Sequence, residues 1–126
     1  MTEPRKTVAL IAHDNKKAEM LAFVQANKET LARYYLVATG TTGKLLADHT
    51  GLEVNRMLSG PVGGDAQIAA QVAEGRVEAV FFFIDPLSKH PHDPDINMLL
   101  RLCNVHDVPL ATNASTAAFV ISPKAL

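Results

Sequence analysis

Cysteine is almost absent from this chain. Cys103 stands alone, so no disulfide can form within the chain, and a small buried hydrophobe in a reducing, cytoplasmic setting is the expected role for it. Charge of one sign is lacking too. A net charge of −1 leaves no basic footprint for nucleic acid and no charged belt for a lipid surface. No apolar run approaches the length that spans a bilayer. The polar stretch Met1 to Thr7 lacks the apolar core and small-residue cleavage site of a secretory signal. No linker or low-complexity segment divides the chain, and its 126 residues fit one domain, residues 1–126. The expected partners are small molecules and copies of the chain itself.

What is present is an alternation of apolar runs and helix-like segments. Hydrophobic residues make up 48% and charged residues 20%, enough to build an ordinary core. Thr7–Ala12 is apolar throughout, as a strand buried on both faces should be. It ends at His13-Asp14, where Asp14 or Asn15 is placed to cap a helix with Met20, Leu21 and Val24 on its inner face. Tyr34–Ala38 predicts a second strand, broken at Thr39-Gly40-Thr41-Thr42-Gly43, with a short helix to follow that turns Leu45 and Leu46 inward. A third strand is expected over Glu53–Leu58, then a helix from Asp65 with Ile68, Ala69 and Val72 inward and Gly75 past its end. Ala79–Ile84 is the strongest strand signal. Ser88–Asp95 is too rich in proline for regular structure and reads as a loop. A helix from Asp95 to about His106, a strand over Val108–Ala111 and a closing helix over Ser115–Val120 complete the pattern. This alternation specifies an α/β fold with a mainly parallel central sheet flanked by helices.

In such a sheet, ligands bind outside the carboxyl ends of the strands. The polar and glycine-rich segments His13-Asp14, Thr39–Gly43, Ser59–Asp65 and Asp85–Asp95 all follow strands, so they should meet at one edge. Thr39–Gly43 offers three hydroxyls and two glycines at a helix mouth, where backbone N–H groups and the helix dipole favour an anion such as phosphate. It is no Walker A loop, because Leu45 follows Lys44 where that motif needs Ser or Thr. Read as structure alone, it is a turn with a cap.

Ser59-Gly60-Pro61 and Gly63-Gly64 lead to Asp65. An aspartate there can simply cap a helix. Facing a bound phosphate ester, however, it would be repelled into a stronger base. His90-Pro91-His92-Asp93-Pro94-Asp95 has the residue types of a metal cluster. Its prolines splay neighbouring side chains, and no distant pair completes a shell. An acid/base or electrophilic His92 held by Asp95 is the better reading, and no metal or cofactor is expected. His13 beside Asp14 repeats the pairing, though a histidine after a strand often only supplies a structural hydrogen bond. His49 and His106 read as surface residues on helices. A phosphate cradle with carboxylates and histidines, but no nucleophile, suits proton abstraction next to a carbonyl on a small phosphorylated substrate.

The ordered set Ala12-His13-Asp14, Ala38–Gly43, Leu58–Pro61, Gly63-Gly64-Asp65, Phe83–Pro86, Pro91–Asp95 and Ala111-Thr112-Asn113 resembles the methylglyoxal synthase family, from about Val8 to about Ile121. The resemblance implies a three-layer α/β sandwich that forms homohexamers in the bacterial cytoplasm. It implies a lyase that converts dihydroxyacetone phosphate to methylglyoxal and inorganic phosphate, the latter also a candidate inhibitor. Asp65 takes the position of the family's base, His92 that of the histidine handling the carbonyl and hydroxyl oxygens, and Asp95 supports it. Phosphate is then expected around Thr39, Gly40, Thr41, Thr42, Ser59 and Gly60, with Lys17 supplying charge and His13, Asp14 and Asp85 lining the pocket. His90 falls outside the matched motif and receives no role. Longer relatives extend beyond the position of Leu126, and subunit coupling through such a tail is not carried over. A similar fold serves as an effector-binding module in carbamoyl phosphate synthetase and, in related form, in a purine-pathway bifunctional enzyme; Asp65, His92 and Asp95 together argue against that role. An isomerase working through the same enediolate would differ in its product.

Overall fold

The computed structural model describes residues 6–87 and 93–122, apart from the side chains of 93–95. Five parallel strands form one sheet: β1 (Thr7–Ala12), β2 (Tyr35–Ala38), β3 (Val54–Arg56), β4 (Val77–Phe83) and β5 (Leu110–Ala111), in spatial order β3-β2-β1-β4-β5. Among the described residues six α-helices accompany them: α1 (Lys17–Ala26), α2 (Lys28–Leu31), α3 (Gly40–Thr50), α4 (Gly64–Ala73), α5 (Asp93–Val105) and α6 (Ala114–Ile121).

The strand order dictates where the helices go. From β1 the chain steps outward to β2 and β3, then returns past β1 to β4 and β5. Right-handed crossovers therefore put α1, α2 and α3 on one face and α4 and α5 on the other, and the closing helix α6 returns to the first face. Val8, Leu10 and Ala12 of β1 pack with Met20, Phe23 and Val24 of α1, Leu31 of α2, Leu46 of α3 and Ala117 of α6. The alternate residues Ala9 and Ile11 pack with Ile68, Ala69 and Val72 of α4 and with Ile96, Leu99 and Cys103 of α5. Three layers result, as expected of a strand buried on both faces.

β4 follows the same alternation, with one interruption. Thr7 pairs with Val77 and Val8 with Ala79, so Glu78 is an extra residue in the ladder. This bulge sends Val77 and Ala79, two positions apart, to opposite faces of the sheet.

Several boundaries differ from the sequence expectations, each for a physical reason. A 3₁₀ turn, Asp14–Lys16, precedes α1, and neither Asp14 nor Asn15 caps a helix, because their side chains bond to Lys17 and Asp85 instead. The Thr39–Gly43 segment is no loop. Thr39 is the N-cap residue and α3 begins at Gly40. The third strand is only three residues long, and α4 begins one residue before Asp65. α5 starts at Asp93 and not Asp95, since a proline in the first helical turn sacrifices no hydrogen bond. The remainder of the expected loop, residues 88–92, lies outside the described residues. His49 is exposed on α3, while exposed His106 sits just beyond the end of α5. No described helix is long and apolar enough to cross a membrane.

Candidate active site

The chain reverses its direction across the sheet at β1, which opens a crevice at the carboxyl ends of β1 and its neighbours. A cavity of about 130 Å³ lies there. His13, Asp14 and Lys17 reach it from the end of β1, Thr39 and Thr41 from the start of α3, and Gly60, Pro61 and Asp65 from the start of α4. Ile11, Ala12 and Phe82 give it an apolar side.

The glycines near the cavity permit close approaches. Gly40 donates its N–H to the Leu58 carbonyl (3.1 Å), and a Cβ there would lie 3.1 Å from the Met57 carbonyl oxygen. Gly64 sits so near Leu58 that a Cβ would overlap the Leu58 carbonyl. These contacts pull the starts of α3 and α4 together. Gly60 works differently: a Cβ there would lie 3.4 Å from Asp65 Oδ1 and 3.5 Å from Oδ2. Its bare backbone puts no side chain against that carboxylate. Asp65 is 1% exposed and lies in the first turn of α4, where the helix dipole favours its negative charge.

In the same cavity, the N-terminus of α3 presents a positive dipole end beside the hydroxyls of Thr39 and Thr41. Lys17 is the one cation among the described residues lining the cavity. Its ammonium donates to the Ala12 carbonyl (3.0 Å) and to Asp14 Oδ1 (2.8 Å), which fixes it at the end of β1.

His13 is buried at the same strand end. Its backbone N–H donates to the Phe83 carbonyl (3.1 Å), its ring stands edge-on to Phe82, and its Nδ1 accepts the Asp85 backbone N–H (2.9 Å). Because Nδ1 is the acceptor, the ring proton resides on Nε2.

Not every expected residue lines the cavity. Thr42 is fully buried and its hydroxyl donates to the Ala12 carbonyl (3.4 Å), tying α3 to β1. The Ser59 carbonyl accepts the N–H groups of Val62 (3.1 Å) and Gly64 (3.0 Å), so Ser59 shapes the turn that carries Gly60. Asp85 stands behind His13 and accepts hydrogen bonds from Asn15 Nδ2 (2.9 Å) and the Leu87 N–H (3.0 Å). His90 and His92 lie outside the described residues. So does the side chain of Asp95, whose backbone is in the first turn of α5. Ile11 and Phe82 were not anticipated as lining residues; their apolar runs mark them as buried without telling that they border a cavity. Among the described residues, no group of three His, Cys, Asp or Glu side chains is placed to hold a metal ion.

A family model described as an MGS-like domain matches residues 19–112. The methylglyoxal synthase of Thermus thermophilus is 59% identical over 117 residues, 93% of this chain and 93% of that protein. That of Carboxydothermus hydrogenoformans is 60% identical over 110 residues, 87% of this chain and 91% of that protein. A crystal structure of methylglyoxal synthase from Elizabethkingia anophelis superposes with a TM-score of 0.89 at 44% identity, over 95% of this chain and 79% of that one. The chain belongs to the methylglyoxal synthase family. Of the residues that carry the likeness to methylglyoxal synthases, His13, Asp14, Thr39, Thr41, Gly60 and Asp65 line the cavity in the β1 crevice.

Proposed function

We propose that this chain is a carbon–oxygen lyase converting dihydroxyacetone phosphate to methylglyoxal and inorganic phosphate, without metal or cofactor. Family membership supports the reaction. The observation that carries it at the level of chemistry is one cavity lined both by a buried carboxylate, Asp65, and by a dipole, hydroxyls and a cation. The first can take a proton, and the others can hold a phosphate dianion.

In this reading Thr39, Thr41, Lys17 and the start of α3 bind the phosphate. Gly60 admits the substrate carbon to Asp65, and Gly40, Thr42, Ser59 and Asp85 hold the framework that places these groups. Asp65 removes a proton from the hydroxymethyl carbon, and the electron pair moves onto the carbonyl to give an enediolate. His92, supported by Asp95, is assigned to hydrogen-bond the two oxygens, with His13 and Asp14 beside the same pocket. The cradle holds the bridging C–O bond roughly perpendicular to the enediolate plane, so the π electrons expel phosphate before any proton returns. The enol released with phosphate then ketonises to methylglyoxal. The same reading makes the chain a single cytoplasmic domain that assembles as a homohexamer, with phosphate also an inhibitor; these assignments rest on the family resemblance.

The test is stoichiometric release of phosphate and methylglyoxal from dihydroxyacetone phosphate, with a chelator present. Asp65→Asn should retain phosphate-ester binding and lose turnover by at least about 10⁴-fold, the upper range for a positioned base. An aldose phosphate as product would indicate an isomerase. Phosphate-ester binding with no turnover by the wild type would indicate a regulatory module.

A further inference from the structure

Asn15 is exposed, lies in the 3₁₀ turn after β1 and does not line the cavity. Yet its side-chain amide reaches across 70 residues of sequence to Asp85 Oδ2 at 2.9 Å. The other carboxylate oxygen of Asp85 accepts the Leu87 N–H at 3.0 Å and closes a turn on itself. The backbone N–H of that same Asp85 is the donor to His13 Nδ1. One residue therefore receives the Asn15 amide on its side chain and holds the His13 imidazole with its main chain.

We propose that Asn15 is a positioning residue for His13, acting through the Asp85 turn. With both oxygens of Asp85 engaged, the turn keeps its backbone N–H directed at Nδ1. A donor facing Nδ1 leaves no room for a proton there, so the ring is held as the Nε2–H tautomer. That sets which ring nitrogen can donate at this end of β1. Remove the Asn15 amide, and Oδ2 loses this donor while Oδ1 keeps the Leu87 N–H; the turn loosens and the Nδ1 contact lengthens. The catalytic side of this inference rests on the proposed function, in which His13 meets the substrate. The tautomer side does not.

Long-range ¹H–¹⁵N spectra of the labelled protein read the protonation of each imidazole nitrogen, with His13 assigned by its loss in His13→Asn. The wild type should show His13 protonated at Nε2 alone. Asn15→Leu should shift His13 toward a mixture of tautomers and lower kcat/KM by about tenfold, the scale of one lost hydrogen bond to a carboxylate. Asn15→Gln keeps an amide donor and should restore both readouts at least in part, and Asn15→Ser, too short to reach Asp85, should behave like Asn15→Leu. A thermal midpoint that falls in Asn15→Leu with His13 shifts unchanged would show a merely structural contact and overturn the proposal. His13 shifts that move as expected while no form of the protein turns over substrate would uphold the positioning role and overturn the catalytic reading instead.

Discussion

Gly60 lies directly against the carboxylate of Asp65. A methyl group at that position would rest 3.4 Å from the carboxylate, a tolerable contact for folding but one that takes up space in the cavity both residues line. Gly60→Ala should therefore fold with an unchanged far-UV spectrum and lose kcat by roughly a hundredfold, the cost of displacing a reacting group by about 1 Å. Steady-state kinetics beside circular dichroism check it, and an unchanged kcat would place the substrate on another side of Asp65. At this scale the sequence was legible in kind more than in orientation. The residue types of the site could be named from their places after strands. Which of Thr41 and Thr42 faces the cavity could not, because that depends on where α3 begins. Starting the helix at Gly40 sets consecutive threonines about 100° apart, so Thr41 lines the cavity while Thr42 turns into the core.

Elements meet at the cavity through backbone contacts that leave no room for side chains. Gly64 is the tightest of these, against the Leu58 carbonyl. Gly64→Ala should destabilise the fold by about 3 kcal/mol, the upper end for overpacking against atoms that cannot move aside. Gly51→Ala is a useful contrast, because open space surrounds that position and only its left-handed backbone (φ 73°) resists a side chain; about 1 kcal/mol is expected there. Urea midpoints for the two variants test the difference, and equal losses would mean that the Leu58 carbonyl moves aside for the added methyl group. Strands and long helices were read correctly from apolar period and glycine punctuation. Short helical elements were not: α2 has four residues and the turn before α1 three, too few to show a period. Nor could the sequence reveal that Asp14 and Asn15 find partners other than the helix they precede.

For the molecule as a whole, Cys103 reports on the layer formed by α4 and α5. It is 1% exposed, and burial pushes its thiol from 9.0 up to about 11. The native thiol is therefore neutral and inert to alkylation. Unfolding exposes a thiol of ordinary acidity, so the stabilisation from keeping it neutral is complete below about pH 9 and is lost as pH rises toward 11. Iodoacetamide labelling should track global unfolding in urea, and wild type should lose stability between those pH values more steeply than Cys103→Ala. Labelling well ahead of unfolding would reveal an independent opening of α5. The α/β class and the parallel sheet were legible from the alternation of runs. The strand order was not, since no local pattern tells that β1 must lie at the centre; that follows from burial on both faces only once its neighbours are known.

Placing the first strand beside the fourth also has a consequence for how the protein comes into being. The two strands that frame the crevice meet only after the intervening chain has closed a large loop, and the bond from Asp85 to His13 spans 72 residues. Contacts of such separation form late, because chain closure must precede any gain from them. A partly folded chain, or a nascent one still short of β4, holds Thr39, Thr41 and Asp65 without the Phe82 side of the cavity they line. Competence and completion of the sheet therefore arrive in the same kinetic step.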